Sequence, residues 1–322
     1  MDTILIALAP GTLSSEQVAR VRETAPDGVP VIVTRDRDEI GAVIDRVEVA
    51  AGWFPADLLP RASNLHWYQQ WTAGADWLLS HPDAAAADFV LTNTSGIHAV
   101  PIAEHVFALL LAFGRELPRA LRAQDRHDWI PQRDHPGLFE LSGKTMLLIG
   151  VGVVGKRIAR VAAVVGMEVV GVRRDPTRAV TGVTSMWGPD DLLDVLPRAD
   201  VVVLTVPLTE ETRGMIGRAE LEAMKETATL INVGRGGTVD EEALVDALRH
   251  SQIGRAALDV FEDEPLGESA ALWDLENLII TPHYAGVTPH YHERALDVFL
   301  DNLDRYIAGE ELRNVVDKDL GY

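Results

Sequence analysis

The sequence contains no cysteine, only four lysines and no long apolar run. Without cysteine the chain forms no disulfide, uses no thiol in catalysis and offers no thiolate to a metal. No apolar stretch approaches the ~20 residues that a membrane-spanning helix needs. The apolar run at the N-terminus is too short for a signal peptide and lacks a basic leader. These absences predict a cytoplasmic protein that has no membrane partner.

Acidic residues dominate the charge, with 49 Asp and Glu against 29 Lys and Arg and a net charge of −20. Such a field repels nucleic acid and anionic membranes, so we expect neither as a partner. A GC-rich genome that favours Ala, Arg, Asp and Gly codons explains this composition, and so does adaptation to high salt. Melting curves at low and at molar salt separate the two, because only the second predicts loss of the fold at low salt.

The chain alternates short apolar runs with stretches of helical character, and its 322 residues suit two domains. Continuous apolar strands that alternate with helices predict a parallel sheet covered on both faces, and hence an α/β fold. One long helix is predicted over residues 100–121, and others over 153–165 and 289–307. The predicted strands cover residues 1–8, 31–33, 47–49, 65–68, 89–91, 146–149, 167–172, 201–204, 229–232, 256–258 and 278–280.

A glycine-rich turn lies between a predicted strand and a predicted helix, with Gly150, Gly152 and Gly155 in a G-x-G-x-x-G pattern. The first glycine permits a tight turn, the second lets a pyrophosphate approach the backbone, and the third lets helix and strand pack closely. The amides that open the helix, at Val153 and Val154, would face the phosphates. This context predicts a dinucleotide site and makes a purely structural turn the weaker interpretation.

Two arginines stand where an NAD site usually has an acid. Arg173 and Arg174 follow the second strand of the predicted site, and Asp175 comes past the expected position of the ribose. A guanidinium group binds a 2′-phosphate with bidentate, charge-assisted hydrogen bonds. The pair predicts NADP(H) as cofactor, with NAD(H) less favoured. The alternative is that the arginines belong to a solvated loop and the preference is weak.

Three further residues have the chemistry that reduction of a 2-oxo acid needs. Arg235, between two glycines after a predicted strand, can clamp a carboxylate and reach the oxo oxygen. His283 also follows a strand and can donate a proton, while Glu264 can bond one ring nitrogen and favour the protonated ring. Asp259 lies at a strand end, where it could bond the nicotinamide amide. His290 and His292 lack converging acidic ligands, so no metal site is predicted.

With these motifs, the chain resembles the D-isomer-specific 2-hydroxyacid dehydrogenases. It is similar to glyoxylate/hydroxypyruvate reductases and, among these, to the acidic, NADPH-using 2-oxoacid reductases of haloarchaea and their relatives. The resemblance spans nearly the whole chain and rests on the glycine turn, the three catalytic phrases and the segments 92–98, 103–105 and 206–212. Thr205, where many relatives have His, and the arginine pair depart from the common pattern. Glu264, where formate dehydrogenases of the superfamily have Gln, argues against formate.

The resemblance implies an architecture of two Rossmann-like domains. Residues 1–98 plus 287–322 would form a flavodoxin-like substrate domain, and residues 99–286 an inserted, doubly wound NAD(P)-binding domain, with the active site in the cleft. It also implies a homodimer built through the long helix and the arm that follows it.

The resemblance further assigns residues to ligands. The backbone at Ala73 and Gly74 would hold the substrate carboxylate together with Arg235, and Gly286 would lie beside the nicotinamide. Trp53 and Trp129 are candidate pocket walls, although ordinary packing explains them equally well. The predicted cofactor contacts are Gly150, Gly152, Val153, Val154, Gly155, Arg173, Arg174, Pro207, Thr212, Val233, Asp259, His283 and Gly286.

Two functions from different classes fit these features. The first is an enzyme that reduces a small 2-oxo acid to the D-2-hydroxy acid. The second is an NAD(P)H-sensing protein like the corepressors of the same superfamily, which keep the fold and the catalytic residues. The net charge of −20 favours the enzyme.

Overall fold

The structure is a computed structural model that describes residues 1–318 of the chain. The chain divides into two compact units. The first comprises Met1–Ile97 and the C-terminal segment that begins at Thr288, and the second comprises His98–Val287. The predicted substrate domain included residues 319–322, which lie outside the described residues.

Short strands and helices alternate along both units. The strands of the described residues are β1 (Thr3–Ala7), β2 (Val31–Val33), β3 (Val47–Gly52), β4 (Trp67–Gln70), β5 (Val90–Thr92), β6 (Thr145–Ile149), β7 (Glu168–Val172), β8 (Ser185–Trp187), β9 (Val201–Leu204), β10 (Thr229–Asn232), β11 (Arg255–Leu258) and β12 (Leu278–Ile280). The α-helices are α1 (Ser15–Thr24), α2 (Arg37–Val43), α3 (Pro82–Ala86), α4 (Ala99–Gly114), α5 (Leu117–Asp125), α6 (Val153–Val164), α7 (Leu192–Val195), α8 (Arg218–Ala223), α9 (Glu241–Arg249) and α10 (Tyr291–Ala308). Among the described residues, no helix has the length and apolar character to cross a membrane.

The first unit is built on a parallel sheet with strand order β2-β1-β3-β4-β5. Successive side chains of β1 point to opposite faces, and both faces are covered. Ile4 and Ile6 pack into the core on one face, and Leu5 and Ala7 into the core on the other. The prediction of a parallel sheet buried on both sides is confirmed.

The second unit contains a seven-stranded parallel sheet with strand order β12-β11-β10-β9-β6-β7-β8. The chain enters at β6, in the interior of the sheet, and builds outward on both sides of it. A crevice opens at the carboxyl ends of the strands where the winding direction reverses, and ligands of such sheets bind there. The turn after β6 therefore lies at the favoured place for a ligand.

The prediction of one helix over residues 100–121 is wrong. The chain leaves the helical conformation at Glu116, which has a φ of +50°, so α4 and α5 are separate helices. The Glu116 carboxylate accepts hydrogen bonds from the backbone N–H of Gly137 at 2.8 Å and from Nδ1 of His135 at 2.6 Å. These contacts to the following arm offset the cost of the left-handed backbone.

Helix α10 packs against the sheet of the first unit. The Phe299 ring stacks on Trp67 with 5.3 Å between centroids. The Asn302 amide nitrogen donates to the side-chain oxygen of Gln69 at 3.0 Å. Gly309, with a φ of +70°, ends the helix in the left-handed conformation that glycine adopts without strain. The contacts of Phe299 and Asn302 therefore hold α10 beside β4.

Candidate active site

The predicted cofactor and catalytic residues of the second unit follow strands of one parallel sheet. The glycine turn follows β6, and the arginine pair follows β7. The segments that begin at Thr205, Val233, Asp259 and Thr281 follow β9, β10, β11 and β12. Because parallel strands end at the same edge, these six segments line one side of the sheet.

Two glycines of the turn are required by the chain's own packing. A Cβ atom on Gly150, whose φ is +94°, would lie 2.9 Å from Cγ1 of Val206. One on Gly155 would lie 2.3 Å from the carbonyl oxygen of Gly150, which also accepts a hydrogen bond from Oγ1 of Thr205 at 2.6 Å. Thr205, the departure from the common pattern, therefore supports the turn from β9.

Gly152 differs, because a Cβ atom there would meet nothing within 4 Å. The residue caps the N-terminus of α6 without a side-chain hydrogen bond, and Val153 beside it is half exposed. Packing does not explain glycine at this position, whereas close approach of a ligand to the helix amides does. The turn thus fits the pyrophosphate of a dinucleotide.

Arg173 lies next to this turn. It follows Val172, whose carbonyl oxygen accepts a hydrogen bond from the Gly150 N–H at 2.9 Å. The carboxylate of Asp175 accepts from the hydroxyl of Thr177 at 2.5 Å and pairs with Arg178 at 3.4 Å. Asp175 therefore stabilises its own turn, and the arginines are the residues at the strand end.

The charge of Arg174 acts on the segment that follows β9. A hydrogen bond from the Thr209 hydroxyl, and more weakly the charge of Arg174, lower the pKa of Glu211. In the same segment, Thr212 Oγ1 donates to the carbonyl oxygen of Pro207 at 2.7 Å. The predicted contacts Pro207 and Thr212 thus belong to one closed turn.

Arg235 stands in a loop with a fixed backbone. Its carbonyl oxygen accepts hydrogen bonds from the amide of Asn232 at 2.9 Å and from the hydroxyl of Thr238 at 2.7 Å, and both of these side chains are buried. A Cβ atom on Gly236 would lie 1.8 Å from the carbonyl carbon of Phe261. Only glycine allows this approach, which brings the Arg235 loop against the segment that leads to Glu264.

His283 and Glu264 form a hydrogen bond of 2.6 Å between Nδ1 and Oε2. The other carboxylate oxygen of Glu264 accepts the backbone N–H of Phe261 at 3.0 Å. The His283 side chain is 51% exposed, so the pair is accessible to a substrate. With Nδ1 engaged, Nε2 is the nitrogen that remains for proton transfer.

Asp259 anchors the loop that contains His283. Its buried carboxylate accepts hydrogen bonds from the Thr281 hydroxyl at 2.6 Å and from the N–H groups of Tyr284 at 3.1 Å and Ala285 at 2.9 Å. Its carbonyl oxygen accepts the His283 N–H at 2.8 Å. These bonds hold His283 at a φ of +51°, which costs a non-glycine residue free energy.

The segment that contains these sites matches a known protein family. Residues 107–285, more than half of the chain, match the family model described as D-isomer specific 2-hydroxyacid dehydrogenase, NAD binding domain. The chain belongs to the D-isomer-specific 2-hydroxyacid dehydrogenase family. The resemblance drawn from the sequence motifs is confirmed.

Relatives match over most of this dehydrogenase. The glyoxylate reductase of Aeropyrum pernix is 35% identical over 271 residues, which cover 82% of this chain and 80% of that protein. A D-isomer-specific 2-hydroxyacid dehydrogenase from Xanthobacter autotrophicus, solved with NADPH and MES, has a TM-score of 0.84 at 30% identity and covers 100% of this chain and 99% of its own. The NADPH-dependent glyoxylate/hydroxypyruvate reductase of Sinorhizobium meliloti, solved with NADP and sulfate, has a TM-score of 0.82 at 28% identity over 100% of both chains. The predicted fold of two Rossmann-like domains is confirmed.

Gly286 of this dehydrogenase has a packing partner that the sequence pattern does not predict. A Cβ atom there would lie 2.9 Å from Cδ2 of His98, a half-buried residue at the start of α4. Burial, and then the charge of Arg235, lower the pKa of His98. His98 therefore belongs to the surroundings of Arg235. The only signal in the sequence was its place in the segment 92–98, directly before a helix.

In the first unit, the turn at Ala73 and Gly74 presents unused backbone donors. The carbonyl oxygen of Ala73 accepts the Asn93 amide at 2.8 Å, and that of Gly74 accepts the Gln70 amide at 2.7 Å. Within residues 1–318, no protein atom accepts a hydrogen bond from the N–H of either residue. The carbonyls are thus fixed by the protein, and the amides are available to an anion.

No metal site competes with this interpretation in the part of the chain that the structure describes, where no three His, Asp or Glu side chains converge. His290 Nδ1 lies 3.4 Å from the Glu293 carboxylate, an exposed pair within one helical turn.

Proposed function

We propose that the chain reduces a small 2-oxo acid to the D-2-hydroxy acid, with NADPH as the hydride donor and His283 as the proton donor. The observation that carries the proposal is the 2.6 Å hydrogen bond between His283 and Glu264, at the same sheet edge as Arg235. The relatives named glyoxylate reductase support this direction of reaction.

The residues of the chain supply the acid–base and binding parts of the reaction. Glu264 holds Nδ1 of His283, so Nε2 donates the proton to the carbonyl oxygen of the substrate as that oxygen gains negative charge. The Arg235 guanidinium binds the carboxylate and stabilises the same developing charge. A bound nicotinamide would supply the hydride to the carbonyl carbon.

The amides of Ala73 and Gly74 are proposed to bind the substrate carboxylate. Two adjacent N–H groups form a concave donor site for an anion oxygen. The carbonyl oxygens in the same two peptide planes belong to Thr72 and Ala73, and they accept the amides of Gln70 at 3.0 Å and Asn93 at 2.8 Å, which prevents the two N–H groups from rotating inward. The site therefore needs no rearrangement before the substrate binds.

Turnover measurements test the proposed function. Glyoxylate, hydroxypyruvate, pyruvate and branched 2-oxo acids are offered with NADPH, and the chirality of each product is determined. We expect oxidation of NADPH with at least one of them and a D-configured product from each prochiral substrate. Tight NADPH binding without turnover on any substrate would favour the cofactor-sensing alternative.

NADPH is the proposed cofactor because Arg173 and Arg174 follow β7 beside the glycine turn. We expect a higher kcat/KM with NADPH than with NADH. Hydrogen bonds to a charged group contribute about 1.5–3 kcal/mol, so Arg173→Ala should lower the NADPH to NADH ratio by about 10- to 100-fold. Arg174→Ala is expected to lower it in the same direction.

Arg178→Ala is the matched control for cofactor preference. It removes a cation from the same turn, but this cation pairs with Asp175. The ratio should change by less than about threefold, which corresponds to a weak surface ion pair. A native preference for NADH, or an equal loss in the control, would contradict the assignment.

A homodimer is the proposed assembly. Large apolar side chains on α4, α5 and the following arm are exposed, including Leu111, Leu121 and Trp129, the last of them at 91%. A cavity of about 470 Å³ beside Trp129 is lined partly by Ala120 and His127. An exposed apolar surface of this kind is typical of a protein–protein interface.

Substitution within this surface tests the assembly. Light scattering should give twice the chain mass of 35.2 kDa for the native protein. Leu121→Asp should shift the equilibrium to monomer, because a charge would be buried without a partner. Leu193→Asp on α7 is the control, since that leucine is also exposed but lies elsewhere. A monomeric native protein would exclude the dimer.

A further inference from the structure

Three rings cluster at the carboxyl edge of the sheet in the first unit. Trp53 follows β3, Trp71 follows β4, and His292 lies in the first turn of α10. The rings of Trp53 and His292 meet edge to face, with centroids 6.1 Å apart. The Trp71 indole N–H donates to Nδ1 of His292 at 3.2 Å. We call these three side chains the aromatic wall.

The aromatic wall adjoins the turn proposed to hold the substrate carboxylate, because Trp71 precedes Ala73 by two residues. Trp71 is fully buried, and its carbonyl oxygen accepts hydrogen bonds from the hydroxyls of Tyr291 at 2.5 Å and Thr94 at 3.1 Å. The ring that positions His292 is therefore fixed to the same backbone as the carboxylate site.

The hydrogen bond with Trp71 determines the tautomer of His292. An indole nitrogen only donates, so Nδ1 of His292 must accept and the neutral ring has its hydrogen on Nε2. Burial lowers the pKa of His292, which favours this neutral form.

Nε2 of His292 is accessible. Within the described residues, no protein atom accepts the hydrogen on this nitrogen. Every buried side-chain nitrogen or oxygen in that part of the chain has a partner, so the unpaired Nε2 must be exposed to solvent. The accessible part of the aromatic wall thus combines the Trp53 indole with one oriented N–H donor, and the buried Trp71 holds the His292 ring in place. A methyl group against this donor would leave it unpaired, whereas a hydroxyl oxygen would pair with it.

We propose that His292 Nε2–H is a specificity determinant that recognises a hydroxyl group on C3 of the 2-oxo acid. This inference rests on the proposed function, since it assumes that the carboxylate binds at Ala73 and Gly74. Trp53 and His292 contact the substituent beyond the reacting carbonyl, and His292 takes no part in proton transfer.

Two variants separate this donor from the packing role of the ring. His292→Asn keeps an oxygen near the Nδ1 position to accept from Trp71, but its side chain ends short of Nε2. His292→Gln reaches the Nε2 position with an amide N–H. The native protein and both variants are assayed with hydroxypyruvate and pyruvate at saturating NADPH, after melting curves confirm that they fold.

The kcat/KM ratio of hydroxypyruvate to pyruvate is the readout. It should fall by about 3- to 10-fold in His292→Asn, as expected for one neutral hydrogen bond, and recover at least partly in His292→Gln. The kcat/KM for pyruvate should change by less than about threefold. An unchanged ratio in the Asn variant, or an equal loss in the Gln variant, would overturn the assignment.

Inhibition of the native protein adds a test that needs no variant. D-glycerate should inhibit about 3- to 10-fold more strongly than D-lactate, because only the former has a hydroxyl on C3. Equal inhibition, with normal turnover of pyruvate, would sink the role of His292 and leave the proposed function intact. Absence of turnover with every 2-oxo acid would overturn both.

Discussion

Replacing His283 by alanine is expected to lower kcat by about 100- to 10,000-fold, the range over which a positioned general acid contributes. The imidazole is the proposed proton donor, and its Nδ1 is already engaged by Glu264 at 2.6 Å. KM should change little, because the carboxylate is proposed to bind to other groups. Steady-state kinetics at saturating NADPH measure both constants.

One control and one companion variant accompany His283→Ala. His290→Ala removes an exposed imidazole that pairs with Glu293 and should leave kcat within about twofold of native, as a weak surface ion pair implies. Glu264→Gln keeps an oxygen for the Phe261 N–H but removes the charge, and should lower kcat by about 10- to 100-fold. A His283→Ala variant with nearly native kcat would assign the proton transfer to another group.

The central strands of both sheets were predictable because they are buried on two faces. A strand covered on both sides reads as a continuous apolar run, as Val201–Leu204 does. Where a strand is short and half-buried, the pattern is weaker. Val31–Val33 and Leu278–Ile280, also short and half-buried, were still predicted from their runs of Val, Ile and Leu, whereas Ser185–Trp187 lacks such a run and was missed.

The break between α4 and α5 has a local signal that the prediction of one helix overlooked. Gly114 is a poor helix former, and Pro118 lacks the N–H that a continuing helix needs and is tolerated only in a first turn. The left-handed conformation of Glu116 depends in addition on contacts with His135 and Gly137, which lie 19 and 21 residues away. The local sequence therefore marks the break, and tertiary hydrogen bonds fix its geometry.

The residues of the candidate site also differ in how far the sequence predicts them. The glycine turn and the loops of Arg235 and His283 were predictable, because each follows a strand and has its own distinctive phrase. The contact of His292 with Trp71 was not, since the partners are 221 residues apart and neither stands in a motif. His98 lies in the segment 92–98 that resembles the family, but no pattern in the sequence indicates its proximity to Gly286, which arises only in the folded unit.

Replacing Arg235 by alanine is expected to lower kcat/KM for the 2-oxo acid by about 100- to 10,000-fold, through a higher KM and a lower kcat. Two charge-assisted hydrogen bonds at about 1.5–3 kcal/mol each give this range. Both constants should change because the guanidinium is proposed to bind the carboxylate and to stabilise the charge on the oxo oxygen.

The local structure makes this variant interpretable. The backbone of Arg235 is held by the side chains of Asn232 and Thr238, so truncation of the guanidinium should leave the loop in place. NADPH affinity, measured by fluorescence titration, should stay within about threefold of native.

Arg235→Lys keeps the charge but loses the planar fork, so it should recover only part of the activity. Added guanidinium should partly rescue Arg235→Ala if the loss is chemical. Loss of NADPH binding together with activity would instead indicate a collapsed loop, and native kinetics would remove Arg235 from the proposed mechanism.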